Sequence, residues 1–493
     1  MSGPLPSEHP APPQPGIARA TVFGFIAEAM VFPAGLVTAA YLTRSLGAAQ
    51  YGQLSLIYAV LSPVVWLASS TFAGRTGLTL LADARDWRPM AATLLRANVV
   101  LGLGSMLLFL ALAPWFATVL GSPDLAPFLW VAAVEIVLMP ITRIHRDALV
   151  ARGQYTWPAL ATLAFQLARL ALILSLVAAG WALLGVILAN LGARAVELVA
   201  CRARLRLPVR GAVQGWLRPL RSQVGSLFGY AFCLQLFNRV DLLMLGFLGT
   251  PVDVLGHYGA AQNLALAPGL FAMVFGPLLI AALRRTELAP APEEALALRN
   301  GSARLVIAIW AMAAPVAAGA TGLVVLLFGS GFASSGEILA WLGVGAGGGL
   351  VLAVLSAHQV ANRRYARPLL AAIPMLVVAV ALQVVWIPRH GALGAAWATA
   401  TAAILAAIIA QGFDGLRNLL ARSLDLVRMV CAGAAGYFGT QLAARVGMPS
   451  PVDILLGAIV TGTVLLLVRL ASWRDLRLLA AQFLDRTPVT RMI

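Results

Sequence analysis

The stretches VARGQYTWPALATL (residues 150–163) and VANRRYARPLLAAI (residues 360–373) share the pattern V-A-x-x-x-Y-x-x-P-x-L-A at an offset of 210 residues. Neither copy resembles a catalytic motif or a set of metal ligands. A repeat at this distance indicates a duplicated architecture in which the pattern occupies the same place in each half. The surrounding sequence then decides which architecture was duplicated.

The composition indicates a membrane protein. Of the 493 residues, 60% are hydrophobic and 11% are charged, and the mean hydropathy is +0.88. Soluble domains carry roughly 25% charged residues. Because a hydrocarbon core of about 30 Å takes about 20 apolar residues as helix, the recurring apolar runs predict about fourteen transmembrane helices and an all-α fold. The formal charge of +16 falls in membrane loops, so we expect no nucleic-acid binding.

The distribution of arginine predicts the topology. If the first span starts from the cytoplasm, roughly twenty-five arginines fall in inner loops and tails, against Arg44, Arg389 and Arg445 outside. Both termini are therefore expected in the cytoplasm, with an even number of spans.

Other landmarks keep the offset of the opening pattern. Tyr51-Gly52 opens the second span and Tyr258-Gly259 opens the eighth, while Leu184-Gly185 in the sixth corresponds to Leu393-Gly394 in the twelfth. The repeat is thus six helices long. Because six is even, both copies enter the membrane in the same direction and form parallel repeats, which place a substrate site between them.

These landmarks divide the chain into six parts. We expect a disordered cytoplasmic tail at 1–16, an N-terminal six-helix lobe at 17–201, a basic cytoplasmic linker at 202–223, a C-terminal six-helix lobe at 224–413, two extra transmembrane helices at 414–470 and a cytoplasmic amphipathic tail at 471–493.

Three stretches resemble a known family: YLTRSLGAAQYGQLSLIYAV (41–60), LQLFNRVDLLMLGFLGTPVDVLGHYGAAQNL (234–264) and GALGAAWATA (391–400). They are similar to the oligosaccharide flippases of O-antigen and exopolysaccharide biosynthesis, in the multidrug/oligosaccharidyl-lipid/polysaccharide exporter superfamily. The resemblance implies two six-helix lobes around a central cavity in the bacterial inner membrane. It also implies transport of an undecaprenyl-pyrophosphate-linked glycan, with no catalytic residue and no cofactor. Glu28, with no Arg, at mid-depth of the first span departs from the related lipid II flippases and argues against a peptidoglycan precursor.

Two polar stripes in the apolar spans are candidates for substrate binding. In the fifth span Thr162, Gln166 and Arg169 share one helical face. The seventh span carries a similar group, consisting of Gln235, Asn238, Arg239 and Asp241. A charged residue at mid-depth costs roughly 2.5 to 3.5 kcal/mol on insertion scales, so each is a candidate for function. Arg169 and Arg239 would bind a pyrophosphate bidentately; the alternative is internal pairing, of Arg239 with Asp241 or of Arg169 with Glu135.

Four further charged residues complete the set. Arg146 and Arg96 would form a basic entrance for an anionic headgroup, or would only anchor their helices at the inner surface. Glu28, close to Pro33, would lie on a kinked gating helix, or would pair with a neighbouring Arg. Glu135 joins Glu28 and Asp241 as a candidate for gating or ion coupling, with H⁺ or Na⁺ as the coupling ion.

Three functions compete. The first is a flippase that moves a lipid-linked oligosaccharide from the inner to the outer leaflet by alternating access, with membrane lipids, a polysaccharide polymerase and export machinery as partners. The second is a cation-coupled multidrug exporter of the same superfamily, against which a cavity rich in Arg argues. The third is a membrane-embedded glycan polymerase or ligase, which the short predicted external loops GSPDLAP and PRHGALG disfavour.

Overall fold

The computed structural model of the protein describes residues 16–71, 81, 87–207, 225–288, 292–413 and 416–468. Fourteen helices, α1 to α14, run up and down through this part of the chain, which contains no strand. Their bounds are as follows: α1 and α2 share Gly16–Ser70 and part at Gly47; α3 is Trp87–Val119; α4 comprises Ala126–Ala132 and Glu135–Ala151; α5 is Thr156–Ala178; α6 is Ala182–Arg204; α7 is Ser226–Phe247; α8 comprises Val252–Ala265 and Ala267–Leu288; α9 comprises Pro292–Ala311, Ala313–Ala318 and Ala320–Phe328; α10 is Ser335–Ala361; α11 and α12 share Ala366–Gly412 and part at Gly391; α13 is Leu416–Arg445; α14 is Ser450–Leu467.

The predicted all-α fold with fourteen helices, two six-helix repeats and two additional C-terminal helices is confirmed. Nine of the described helices are long and apolar enough to cross a membrane by length and composition alone. Two of these nine contain two spans each, because the left-handed backbone of Gly47 (φ 74°) and of Gly391 (φ 56°) reverses the chain. Glycine tolerates this conformation without steric cost.

The repeated sequence pattern forms the same turn in each half. After α4, the backbone N–H of Gly153 donates to Val150 O at 2.9 Å and that of Gln154 donates to Leu149 O at 2.9 Å. After α10, 210 residues later, Arg363 and Arg364 donate to Val360 O and Gln359 O at 3.1 and 2.9 Å. These paired bonds form a Schellman motif, which ends one helix before the next begins. The pattern is therefore a structural signal that joins the fourth and fifth helices of each repeat.

The helices present apolar side chains on the outside of the bundle. On α3, for example, Val100 is 70% exposed, and Leu107 and Leu108 are 62% and 63% exposed. Such exposure would be costly in water and is the expected surface of a helix that faces lipid.

The two lobes meet mainly where α1 and α2 pack against α7 and α8. We call the end of the bundle that carries the Gly47 and Gly391 turns the outer end, and the end that carries the Gly153 turn the inner end. At the outer end, Gly52 and Gly256 lie so close that a Cβ on Gly52 would be 1.9 Å from Val252 O. Glycine at both positions thus permits the backbones of the two lobes to touch. This contact between α2 and α8 is called the outer seam below.

Several predicted boundaries differ in detail or lie beyond the description. Helix α6 continues to Arg204, three residues past the predicted lobe boundary, because its last turn remains helical in the basic segment. Helix α13 begins at Leu416, well before the apolar run near residue 428. Residues 1–15, 208–224 and 469–493, which contain most of both predicted tails and of the linker, lie outside the described residues. The domain boundaries and the placement of both termini remain predictions.

Candidate functional site

Arg169 and Arg239 lie at matching depths in the two lobes. Arg169 is thirteen residues beyond Thr156, the first residue of α5, and Arg239 is thirteen residues beyond Ser226, the first of α7. At 1.5 Å per residue each Cα is about 20 Å along its helix from the inner end. Both side chains are partly buried. In the described part of the chain, the Nε atoms of both guanidinium groups are buried and have no hydrogen-bond partner.

The rest of the stripe on α5 points the same way as Arg169. Thr162 and Gln166 are buried, and the Thr162 hydroxyl donates to Pro158 O of its own helix at 3.1 Å. Oε1 of Gln166 is buried and, within the described ranges, accepts no hydrogen bond. Among the described residues, one turn of α5 therefore carries both an unpaired acceptor, Gln166 Oε1, and an unpaired donor, Arg169 Nε.

The stripe on α7 is more open. Gln235 is partly buried and Asn238 is exposed. The backbone oxygen of Asn238 accepts a hydrogen bond from Nε2 of Gln262 on α8 at 3.1 Å. This contact fixes the part of α7 that carries Arg239 against α8.

Tyr51, near the start of α2, connects the two arginines. Its hydroxyl interacts electrostatically with both Arg169 and Arg239, and it accepts a hydrogen bond from Nδ2 of Asn263 on α8 at 2.6 Å. The residue is 3% exposed. The tertiary structure thus places two arginines from different lobes within electrostatic range of one hydroxyl group near the outer seam. The sequence pattern marked Tyr51 only as a landmark of the repeat.

Tyr58 lies two turns further along α2, on the same face as Tyr51. Its hydroxyl accepts a hydrogen bond from Asn190 on α6 and interacts electrostatically with Arg169 and Glu135. Neither Tyr58 nor Asn190 was predicted from the sequence, since a single Tyr or Asn in an apolar span carries little signal.

Asp241 is held by neutral donors. The Tyr258 hydroxyl donates to Oδ2 at 2.8 Å, Nε2 of Gln262 lies 2.9 and 3.0 Å from the two carboxylate oxygens, and the Leu242 N–H donates to Oδ1 at 2.8 Å. No ion pair joins Arg239 to this carboxylate among the described residues, although the two groups interact electrostatically.

A polar chain extends from Asp241 into the C-terminal lobe. The Tyr258 hydroxyl also interacts electrostatically with the Thr399 hydroxyl of α12, and the hydroxyl oxygen of Thr399 accepts from Nε2 of Gln383 of α11 at 3.3 Å. The chain therefore links α7, α8, α11 and α12. It carries one carboxylate and neutral partners, which suits the uptake of a single small cation or proton.

Glu135 and Arg146 belong to a charged network in the N-terminal lobe. Arg194 of α6 lies between two carboxylates, hydrogen-bonded to Glu197 and 3.9 Å from Oε1 of Glu135. Nη1 of Arg146 lies 3.3 Å from Oε1 of Glu197, which is 1% exposed. The sequence analysis missed Arg194 and Glu197, although their spacing of three residues in an apolar helix is the signal of an intrahelical pair.

Arg169 remains outside that network. It interacts electrostatically with Glu135 and Arg194, but no ion pair joins Arg169 to Glu135 in the ranges described. Glu135 and Glu197 are instead paired with Arg194 and Arg146. Glu135 and Asp241 thus form their ion pair and their hydrogen bonds with residues other than Arg169 and Arg239.

Two candidates remain, Arg96 and Glu28. Arg96 is partly buried on α3, nine residues after Trp87, the first residue of that helix. Glu28 lies on α1, and its side chain is outside the described set. No group of three or more His, Cys, Asp or Glu side chains able to hold a metal ion occurs in the part of the chain that the structure covers.

Comparisons with known proteins agree with this architecture. A family model described as polysaccharide biosynthesis protein matches residues 41–335, more than half of the chain. No curated protein sequence matches significantly. Among solved structures, the chain is similar to the lipid II flippase MurJ in an inward closed conformation, with a TM-score of 0.70 at 14% identity over 93% of this chain and 100% of that chain.

Two transporter structures are also similar in fold. An inward-facing multidrug resistance MATE family transporter of the MOP superfamily matches with a TM-score of 0.64 at 14% identity, over 82% of this chain and 99% of that one. A MATE structure in the bent conformation matches with a TM-score of 0.57 at 14% identity, over 83% and 96%. At these identities the likeness concerns the fold.

Proposed function

Since the chain belongs to this family of polysaccharide biosynthesis proteins, we propose that it is a flippase for an undecaprenyl-pyrophosphate-linked oligosaccharide. It would move this lipid from the inner to the outer leaflet of a bacterial cytoplasmic membrane for the synthesis of a surface polysaccharide. A polysaccharide polymerase and export machinery would then take the glycan further.

The observation that carries this proposal is the pair of arginines in two lobes. Arg169 and Arg239 lie at one depth, interact with the common neighbour Tyr51, and have buried Nε atoms without partners in the described residues. An unpaired cation is costly within a membrane unless a ligand neutralises it. A pyrophosphate provides oxygens that accept two parallel N–H bonds from each guanidinium.

The contacts between the lobes support alternating access. The outer seam joins α2 and α8 through Gly52 and Gly256, and Arg44 donates to the Leu326 and Leu327 carbonyls of α9 at 2.7 and 3.2 Å. In contrast, no extensive contact joins α4 and α5 to α10 and α11 among the described helices. At the inner end, the Trp66 ring of α2 packs against Phe228 and Phe232 of α7, with centroids 5.3 and 6.0 Å apart. Because the described parts of α4 and α5 make no extensive contact with α10 and α11, the two lobes can still rock about a site between them.

Two forces would drive the lipid outward. An anion that moves from the inside of an inside-negative membrane gains about 2.3 kcal/mol per charge per 100 mV. Asp241, held by Tyr258 and Gln262 instead of by an arginine, would additionally exchange H⁺ or Na⁺ during the cycle. Arg146 would receive the headgroup near the inner end.

Deletion of the gene followed by extraction of lipid-linked intermediates tests the function. We expect a complete glycan lipid to accumulate in the inner leaflet, where it is protected from external glycosidases. An unchanged lipid pool combined with increased sensitivity to cationic drugs would favour the multidrug exporter. Accumulation of single, unpolymerised repeat units exposed at the outer leaflet would indicate a polymerase or ligase.

A further inference from the structure

Tyr51 lies nearer the outer end of the bundle than Arg169 and Arg239 do, four residues after the Gly47 turn. Its ring packs edge-on against Phe332 of the segment after α9, with centroids 6.2 Å apart, and lies beside Gly259 of α8, where a Cβ would be 3.8 Å from the ring. The side chain is therefore fixed by groups from the C-terminal lobe although α2 belongs to the N-terminal lobe. Its hydroxyl has little freedom to move away from Asn263.

The hydrogen bonds of Tyr51 leave its proton unused. A phenolic hydroxyl has one donor and accepts through its lone pairs. The Asn263 amide occupies an acceptor position at 2.6 Å, and no acceptor for the Tyr51 proton is found in the described part of the chain. A fixed donor within electrostatic range of two cations is suited to a group that is only an acceptor, and phosphate oxygens are such a group.

An anion held by both arginines must lie in the region that they share, and Tyr51 interacts with both. We propose that the Tyr51 hydroxyl is a third donor to the pyrophosphate bound by Arg169 and Arg239. This inference rests on the proposed function and assigns a substrate-contacting residue to the same site.

The connection across the lobes gives this contact a directional effect. While the outer seam is closed, Asn263 donates to Tyr51, and a hydroxyl that accepts a bond becomes a stronger donor in turn. When the lobes separate at the outer end, Asn263 and Arg239 leave together with the C-terminal lobe. The pyrophosphate then loses Arg239 and the strengthened bond from Tyr51, so its affinity falls in the conformation that releases it outside.

Binding of undecaprenyl pyrophosphate without a glycan to the purified protein in lipid nanodiscs tests the proposal. Tyr51→Phe should weaken binding about tenfold or more, because it removes one hydrogen bond to a charged acceptor. Asn263→Ala should weaken binding by only about threefold, because the Tyr51 proton remains. Tyr41→Phe is the matched control, since the Tyr41 hydroxyl donates to Leu174 O within one lobe, and it should bind like the native protein.

Binding of undecaprenol, which has no phosphate, shows whether each variant is folded and should be unchanged in all of them. Equal losses in Tyr51→Phe and Asn263→Ala would overturn the proposal, because Tyr51 would then act only through the outer seam. Unchanged binding by Tyr51→Phe together with weakened binding by Arg169→Ala and Arg239→Ala would refute the inference and leave the proposed function standing. Unchanged binding by both arginine variants would refute the proposed function itself.

Discussion

The Tyr258 hydroxyl donates a 2.8 Å hydrogen bond to Oδ2 of Asp241. Together with Gln262, it satisfies the carboxylate that lies two residues after Arg239. A carboxylate with these donors does not need the arginine to remain buried. Arg239 and Asp241 therefore act as separate groups, one toward the space between the lobes and one toward the C-terminal lobe.

The two arginines should be required for transport and dispensable for folding. We expect Arg169→Ala and Arg239→Ala each to lower export of the lipid-linked glycan at least tenfold, with protein levels in the membrane nearly unchanged. Replacement by Lys should restore part of the activity, because a point charge keeps the attraction but loses the bidentate geometry. Arg389→Ala, in the exposed turn between α11 and α12, is the control and should export normally.

The double variant Arg239→Ala with Asp241→Ala separates binding from pairing. If Arg239 only neutralised Asp241, removal of both would restore stability and export. We expect export to remain lost. Recovery of export in the double variant would contradict the binding role of Arg239.

Asp241 should control the response to cations. Asp241→Asn keeps an acceptor for Tyr258, so we expect a folded protein whose transport in proteoliposomes no longer responds to an imposed Na⁺ or pH gradient. Asp241→Ala leaves buried donors without an acceptor and should lower the free energy of unfolding by about 1 to 3 kcal/mol. Tyr258→Phe is the comparison variant, because it removes one donor to the same carboxylate and keeps the carboxylate itself. An unaltered gradient response in Asp241→Asn would exclude the residue from coupling.

Glu197 should be important for stability. Glu197→Ala leaves Arg194 and Arg146 without their shared carboxylate, and breaking a buried ion pair costs about 3 to 5 kcal/mol. Asp124→Ala is the control, because its carboxylate is exposed and forms no ion pair among the described residues, and exposed charges contribute about 1 kcal/mol or less. Thermal unfolding in detergent measures both. Similar losses for the two variants would refute the distinction.

The outer seam should depend on glycine at position 256. A Cβ there would lie 2.0 Å from Ala48 O, so Gly256→Ala should force α2 and α8 apart and cost about 1 to 3 kcal/mol. We expect a cysteine placed at Asn263 to react faster with an impermeant thiol reagent added outside. Gly35→Ala is the matched control, because no atom lies within 4 Å of a Cβ at that position. Equal reactivity in both variants would show that the seam tolerates the methyl group.

The predicted topology has a direct test. Reporter fusions after Arg210 in the linker and after Gly391 between α11 and α12 should lie on opposite sides of the membrane, with Arg210 in the cytoplasm. The basis is the concentration of arginine in alternate loops. Reporters on the same side at both positions would contradict the assignment of both termini to the cytoplasm.

The sequence alone determined the number of helices and their duplication. Both follow from local properties: a membrane requires about 20 apolar residues per span, and the pattern shared by residues 150–161 and 360–371 is a local signal that ends one helix and starts the next. Mid-depth arginines were equally recognisable, because a charge in an apolar run is conspicuous at any position in the chain.

Only the tertiary structure decided which groups meet. Tyr51 and Asn263 are 212 residues apart, and nothing in the local sequence indicates that their side chains form a hydrogen bond. Pairing is likewise a property of three-dimensional packing: Asp241 binds Tyr258, and Glu197 binds Arg146 and Arg194, because helix contacts place those groups within reach. Sequence spacing gives the face of a helix that a residue occupies, whereas the neighbour opposite that face is set by how the lobes pack.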